Sequence, residues 1–453
     1  MSLYKRKEGS EQPYWQFGPF KLRFPFIHYR LEGPEIIQGF VLFSIGLSMI
    51  PILQNYVGMT FDAALAVVII FQMTMLLQVL LGSPFVSGLI TPLIPLLVIF
   101  LSDFTPGPEA IQALVAVQLL VAIIFLLFGI TGMGRWIVNN LSTSLKSGIL
   151  IGAGLAALFG EFQAGGTVAE TPISLIIGGV ICLFVMFSPT FKSLIQRNNV
   201  AGFIANYGIM PSILIAIIIG WIVREYPSPT LEWGITVPNF VELWNYTPFV
   251  VGFPSFEIFL LALPLAILGY VIGYGDIIVG KTLIEKANEK RPDEKVDTNV
   301  SQLHVIVFIR NLIHAFFAPH PGLAGPIFTA GMASVAERYT YGKKAMESIH
   351  SGAGTLLLTF LVALFILPLV TFFQPFLPIA LSITLILTGY ICITVGLEQV
   401  KTPIARGVAL IMAVVLAIYG AAHALIVGIL LYFLIERNWV ERTKDNREEK
   451  RAS

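Results

Sequence analysis

The chain has 453 residues, of which 56% are hydrophobic and 12% charged, with a formal net charge of +1. Soluble domains carry about a quarter charged residues, so a water-soluble globular protein is excluded. The near-neutral balance gives no basis for a nucleic-acid partner.

Residues 1–35 form a polar and aromatic leader with no cleavage pattern of a signal peptide. Its basic residues (Lys5, Arg6, Lys7, Lys21, Arg23 and Arg30) and its aromatics (Trp15, Phe17, Phe20, Phe24 and Phe26) suit a cytoplasmic segment lying on the headgroups. Fourteen apolar spans follow, each near the roughly 20 residues that cross a hydrocarbon core. The first seven lie at 36–54, 60–82, 84–101, 108–133, 143–160, 172–188 and 200–223. A connection at 224–255, with Pro227, Pro229, Trp233 and Trp244, is expected on the outer interface. The second seven lie at 256–280, 300–318, 321–337, 347–371, 376–396, 401–419 and 421–436, before a charged tail at 437–453. Cys182 and Cys392 fall inside spans, with neither disulfide nor metal-site spacing.

Basic residues set the orientation. With the N-terminus inside, the inner loops hold Arg135, Lys146, Lys192, Arg197, the Lys281–Lys295 group, Arg338, Lys343, Lys344, Lys401 and Arg406. The outer segments hold a single basic residue, Arg224. This positive-inside pattern predicts a multi-pass protein of the plasma (inner) membrane with both termini cytoplasmic.

Seven spans per half force the halves to face opposite ways, as in inverted-repeat transporters. Span 3 opens Pro84-Phe85-Val86-Ser87-Gly88, and span 10 opens Pro321-Gly322-Leu323-Ala324-Gly325. Both are the third span of their half, and both carry further breakers, Pro92 and Pro326. Such residues delay a helix start. They predict an all-α polytopic fold in which spans 3 and 10 are half-helices, with two N-terminal dipole ends facing a midplane site.

Asn311-Leu312-Ile313-His314-Ala315-Phe316-Phe317-Ala318-Pro319-His320-Pro321-Gly322 resembles the sulfate permease (SulP) family. Phe128-Gly129 through Gly134-Arg135, then Gly148 and Gly152-Ala153-Gly154-Leu155, and Pro51 followed by Tyr56, resemble it too. Gly82-Ser83-Pro84 looks equally like the nucleobase–ascorbate permeases, which share that fold. The chain departs from both patterns. Phe328 stands where many SulP members have Arg, and Met332 where they have Asn. No STAS domain follows span 14. Of the nucleobase family's paired acidic residues only Asp276 remains.

Ionisable residues inside spans are functional candidates. Asp276 lies in a glycine-lined stretch of span 8. The resemblance implies a carboxylate there that binds a coupling cation or the solute; pairing with Lys281 is the plainer alternative. Arg310, mid-span, must find an anion, carbonyls or a cavity, and could pair with Asp276. His320, between two prolines, could titrate near neutrality. His314 reads as a packing residue, His304 as interfacial, and His350 and His423 as span ends. The site expected from the half-helices and the resemblance comprises Gln54, Tyr56, Ser83, Phe85, Ser87, Gly322, Leu323, Ala324, Gly325, Phe328 and Thr329, with Phe85 and Phe328 as its walls.

The function expected is secondary transport of a small anion or weak acid, coupled to protons or sodium, by movement of a core (spans 1–4 and 8–11) against a gate (spans 5–7 and 12–14). A nucleobase symporter is the alternative, and a channel or non-transport membrane protein is third. No enzymatic constellation, metal set or phosphate loop stands out. Beyond the coupling ion no cofactor is expected; the partners expected are the solute, the bilayer and a second copy in a homodimer.

Overall fold

A computed structural model describes residues 3–132, 142–195, 197–198, 200–201, 204 and 209–436. Arg135 and the tail 437–453 lie outside the described residues. Among these, eight helical stretches are long and apolar enough to cross a membrane, and four shorter apolar helices accompany them.

Following the leader, α1 (Gly33–Leu47) and α2 (Ile50–Asn55) share one span broken at Ser48–Met49, just before Pro51, and α3 (Phe61–Leu80) starts at a Thr60 side-chain cap. A two-residue strand (Gly88–Leu89) and a single 3-10 turn (Thr91–Leu93) then precede α4 (Ile94–Leu101). The first unit continues with α5 (Pro108–Thr131), α6 (Thr143–Phe162), α7 (Pro172–Phe187) and α8 (Met210–Ile222). The second unit starts with α9 (Phe256–Glu289) and α10 (Val300–Phe317), capped by Ser255 and Asn299. A strand at Ala324–Gly325 leads into α11 (Thr329–Tyr339). Then come α12 (Ile349–Leu364), α13 (Leu367–Phe373), α14 (Leu377–Gln399) and α15 (Pro403–Leu431).

Span 8 extends nine residues beyond its expected end at 280, because Lys281 to Glu289 is rich in helix formers and Lys281 pairs with Glu285 one turn on. The last two expected spans form one helical stretch that reverses at Gly420, whose φ of 78° and ψ of −174° are not helical. A Cβ at Gly428 would lie 2.4 Å from Met412 Sδ. In a straight helix sixteen residues separate atoms by about 24 Å, so 403–419 and 421–431 run back along each other.

The helices pack in two bodies. In the core, α5 lies against α9 and α10, and α12 against α1 and α3. In the gate, α6 lies against α14 and α15, and α7 against α8 and α14. Gly148 and Gly152 of α6 let Met412 and Leu416 approach the helix backbone, and Gly154 meets the carbonyl of Gly389. Such small-residue seams are how helices associate where lipid removes the hydrophobic drive.

The leader differs from the expected lipid-facing strip. It folds into a hairpin, Trp15–Phe17 against Phe20–Leu22, strapped over one end of the core. Arg6 is buried between Asp293 at 2.5 Å and Glu294 at 2.7 Å. Lys21 bridges Glu11 and Asp297, and Arg23 donates to the carbonyl of Gly82. These cations are committed to protein acceptors and are not free for headgroups. Trp15, Phe17 and Phe26 remain exposed, as an interfacial segment requires.

Candidate solute site

Two extended segments cross inside the core. Gly88 pairs with Gly325 and Leu89 with Ala324, antiparallel. Outside the pair, Phe328 N–H donates to the Val86 carbonyl at 2.7 Å and Ile90 N–H to the Gly322 carbonyl at 3.0 Å. The crossing requires glycine: a Cβ on Gly88 would sit 2.7 Å from Phe328 Cβ, and one on Gly325 would sit 2.5 Å from the Leu89 backbone carbon. Beyond the crossing each segment becomes a helix, α4 on one side and α11 on the other. The first N–H groups of α11 have no partner within the helix; before α4, Leu93 and Ile94 already donate to the Ile90 and Thr91 carbonyls and Pro92 and Pro95 carry no N–H, so the partly positive end with free donors is that of α11.

Arg310 of α10 holds this crossing. It donates to the carbonyls of Gly325 at 2.7 Å and Gly88 at 3.2 Å, and to Gln78 Oε1 at 2.9 Å. Gln78 in turn donates to the Pro326 carbonyl, and Asn311 brackets Ala324 through its N–H and its carbonyl. The considered Arg310–Asp276 pair is therefore not made; backbone carbonyls serve the cation instead. Lys281 is committed to Glu285, so it does not take Asp276 either.

Asp276 accepts a hydrogen bond from Thr329 Oγ1 at 3.0 Å. Thr329 is the first residue of α11, so this carboxylate stands at the mouth of that half-helix. Asp276, Thr329 and Phe328 are half-buried, and Ala330 is exposed. Thr91 and Pro92, half-buried, are the matching residues before α4, and α6 and α14 of the gate close over that turn.

The other expected residues divide clearly. Phe85 is wholly buried and cannot wall a cavity in this arrangement. Ser83 caps the Phe85 N–H, and Ser87 donates to the Met75 carbonyl, so both hydroxyls are used by the protein. Gly322, Leu323, Ala324 and Gly325 are buried and build the crossing. His320 stacks on Phe71 with centroids 4.0 Å apart and accepts from Gly322 N–H, apart from the Asp276 pair. His314 is a satisfied packing residue, bonded to Thr74 and the Ala318 carbonyl. His304, expected at the interface, is buried between Phe125 and Tyr270.

Tyr56 reaches a cavity of about 1010 Å³ between core and gate, away from the leader; Gln54 beside it is exposed but does not line the cavity. Ile94 and Pro95 of α4 form its inner wall, with Leu385 and Glu161 from the gate. It touches the first turn of α4 and stops there: Asp276 and Thr329 do not line it. Thr91 and Pro92 are read from the sequence only as breakers, and Ala330 and Glu161 are not among the expected site residues. For Thr91 and Ala330 the signal lies close to the second breaker of each span, Pro92 and Pro326.

Crossed strands feeding two opposed half-helices, within one helical body that packs beside a second, define a multi-pass α-helical membrane fold of the inverted-repeat kind. The fold is that of the transmembrane domain of a cyanobacterium bicarbonate transporter, BicA, at a TM-score of 0.50 and 16% identity, covering 87% of this chain and 97% of that one. It is likewise that of murine Slc26a9, an anion transporter in its inward-facing state, at a TM-score of 0.54 and 16% identity over 88% of this chain and 68% of that one. A further SLC26A9 structure gives a TM-score of 0.54 at 14% identity, with 88% and 64% covered. No family model and no curated protein matches the sequence. The sulfate permease-type fold expected from the sequence is present.

Proposed function

We propose that this protein is a secondary transporter of a small anion, coupled to protons or sodium, and not an enzyme. The observation that carries the reading is the pair of opposed half-helix ends at the strand crossing, with Asp276 bonded to Thr329 at the mouth of one of them. Helix N-termini bind anions through free N–H groups without any basic side chain. Arg310 is consumed by the crossing, so the solute's negative charge is met by the free N–H groups at the start of α11, with the dipole of α4 facing it. The structural neighbours, a bicarbonate transporter and an anion transporter, support the same class of solute.

Asp276 takes the coupling ion in this reading. Its carboxylate has Thr329 as its one hydroxyl donor, and a proton or sodium ion would offset the cost of a charge held in a low-dielectric span. Core and gate then move against each other along the seam between Ile94 and Leu385, exposing the site to one side and then the other. The positive-inside pattern places the leader side in the cytoplasm, at the plasma (inner) membrane, and a homodimer is the assembly we propose.

The test is flux into proteoliposomes. Uptake of bicarbonate, sulfate, chloride or a dicarboxylate should accelerate when a sodium or proton gradient is imposed. Absence of uptake for every anion class, with nucleobase uptake instead, would overturn the reading.

A further inference from the structure

The cavity between core and gate carries two carboxylates, Glu161 and Glu170, and no lysine or arginine among its lining residues. Glu170 is exposed and needs no explanation. Glu161 is different. It sits on the last turn of α6, is 5% exposed, and its Oε2 has no hydrogen-bond partner among the described residues. The Ser382 hydroxyl of α14, fully buried, also lacks a partner. The groups facing the Glu161 carboxylate are the hydroxyls of Ser382 and Thr167, and no cation is among them.

An unpaired carboxylate buried in apolar surroundings is expensive. Two further features raise that cost. The C-terminal end of α6 adds negative dipole potential at the same point. Among the described residues no basic group approaches to answer it. What the position lacks is positive charge, and what it offers is carboxylate and hydroxyl oxygen converging from three elements. A hard cation takes such oxygens; a proton would need only one of them.

We propose that Glu161, Ser382 and Thr167 form a binding site for a hard monovalent cation of sodium's class, on the gate and open to the cavity. The site is separate from Asp276, which belongs to the core. Its consequence for transport rests on the anion reading: an anion entering a cavity edged by two carboxylates is repelled until one is neutralised, so the cation loads before the anion does.

The experiment is thermal unfolding of the purified full chain in detergent, titrated with sodium gluconate against choline gluconate at constant ionic strength, in the Asp276→Asn background. The unfolding midpoint should rise saturably with sodium. Adding Glu161→Gln should weaken half-saturation at least tenfold, and Ser382→Ala should shift it the same way by less. Should Glu161→Gln fail to fold, Ser382→Ala alone decides. A response abolished by Asp276→Asn, or untouched by Glu161→Gln and Ser382→Ala, overturns the site. So does a midpoint that follows pH and ignores sodium. Anion flux in proteoliposomes is read separately, so a protein that binds sodium through Glu161 yet moves no anion would defeat the transport reading and leave the site standing.

Discussion

Gln78 and Arg310 meet at 2.9 Å beside the strand crossing, and through that contact α3 and α10 are joined to both extended segments at once. Replacing Arg310 with Met should therefore damage folding before it damages transport. Three acceptors, the carbonyls of Gly88 and Gly325 and the Gln78 amide, would lose their donor in a dry interior. Leaving a buried neutral acceptor without its donor costs about 1–3 kcal/mol for each group. Thermal unfolding and size-exclusion profiles of Arg310→Met should show a protein that is scarce or aggregated. A monodisperse variant with a wild-type midpoint would mean the crossing holds without it.

The glycine pair gives a sharper steric test. Gly88→Ala and Gly325→Ala each place a Cβ under 3 Å from backbone or Cβ atoms of the facing segment. Overpacking of this kind costs roughly 1–3 kcal/mol, and more where backbone must move. Gly275→Ala, next to Asp276, meets open space and should fold and express normally. Equal tolerance at all three positions in a fluorescence size-exclusion assay would rule out the close crossing.

At the proposed coupling position Asp276 and Thr329 should separate in behaviour. Asp276→Asn fixes the neutral state: anion-for-anion exchange continues, and uptake driven by an ion gradient stops. Thr329→Val removes one hydrogen bond to a charged group, about 1.5–3 kcal/mol, which favours the unloaded carboxylate, so the apparent affinity for a coupling proton should rise by roughly one to two orders of magnitude. Gradient-driven uptake by Asp276→Asn at the wild-type rate would end the coupling role.

Orientation can be read with an impermeant thiol reagent on a background lacking Cys182 and Cys392. Cysteines at Ala164 and Ser228, both exposed, should be labelled from outside intact cells, and one at the exposed Lys290 should be protected. Gly166 is unsuitable, since a side chain there would run into the Glu161 carbonyl. Labelling of Lys290→Cys from outside would invert the topology.

The leader strap carries a pH dependence of known sign. Hydrogen bonding to Arg291, above all, holds the Asp293 carboxyl below the usual aspartate range. A depressed pKa gives stability that is present above the unfolded value, about 4, and is lost as pH falls through the folded one. Glu294, pushed up by burial, works in the opposite sense and makes the dependence shallower. Proteolysis of the leader should stay slow from neutrality down to about pH 4 and quicken below it. Asp293→Asn should make it quick at neutral pH, where the carboxylate otherwise grips Arg6 and Arg291.

How much of this was legible in the sequence depends on how local each cause is. The half-helices at spans 3 and 10 could be read because prolines and glycines act within a few residues of themselves. Asp276 stands out in the sequence as a carboxylate in a glycine-lined span, but its partner Thr329, 53 residues on, does not. The partner of Arg310 could not, since backbone carbonyls are present everywhere and leave no trace in residue identity. The leader misled for a related reason. Arg6 finds Asp293 at a separation of 287 residues, and nothing near Arg6 announces it. Phe85 was placed on a pocket wall because the first residues of a broken span were taken for its exposed ones; the strand pairing buries them and leaves Thr91 and Thr329 at the helix mouths.

The strand crossing also sets a condition on synthesis. Arg310, which donates to the Gly88 carbonyl, lies 222 residues downstream of it. At 5–20 residues per second that interval is roughly 10–45 s. During it the extended stretch before α4 has entered, or waits beside, a membrane that cannot hydrogen-bond its backbone. The half-finished chain must keep that stretch wet or chaperoned until the second unit arrives. An arrested nascent chain ending before Gly322 should accordingly expose this region to water-borne reagents that the full-length protein excludes.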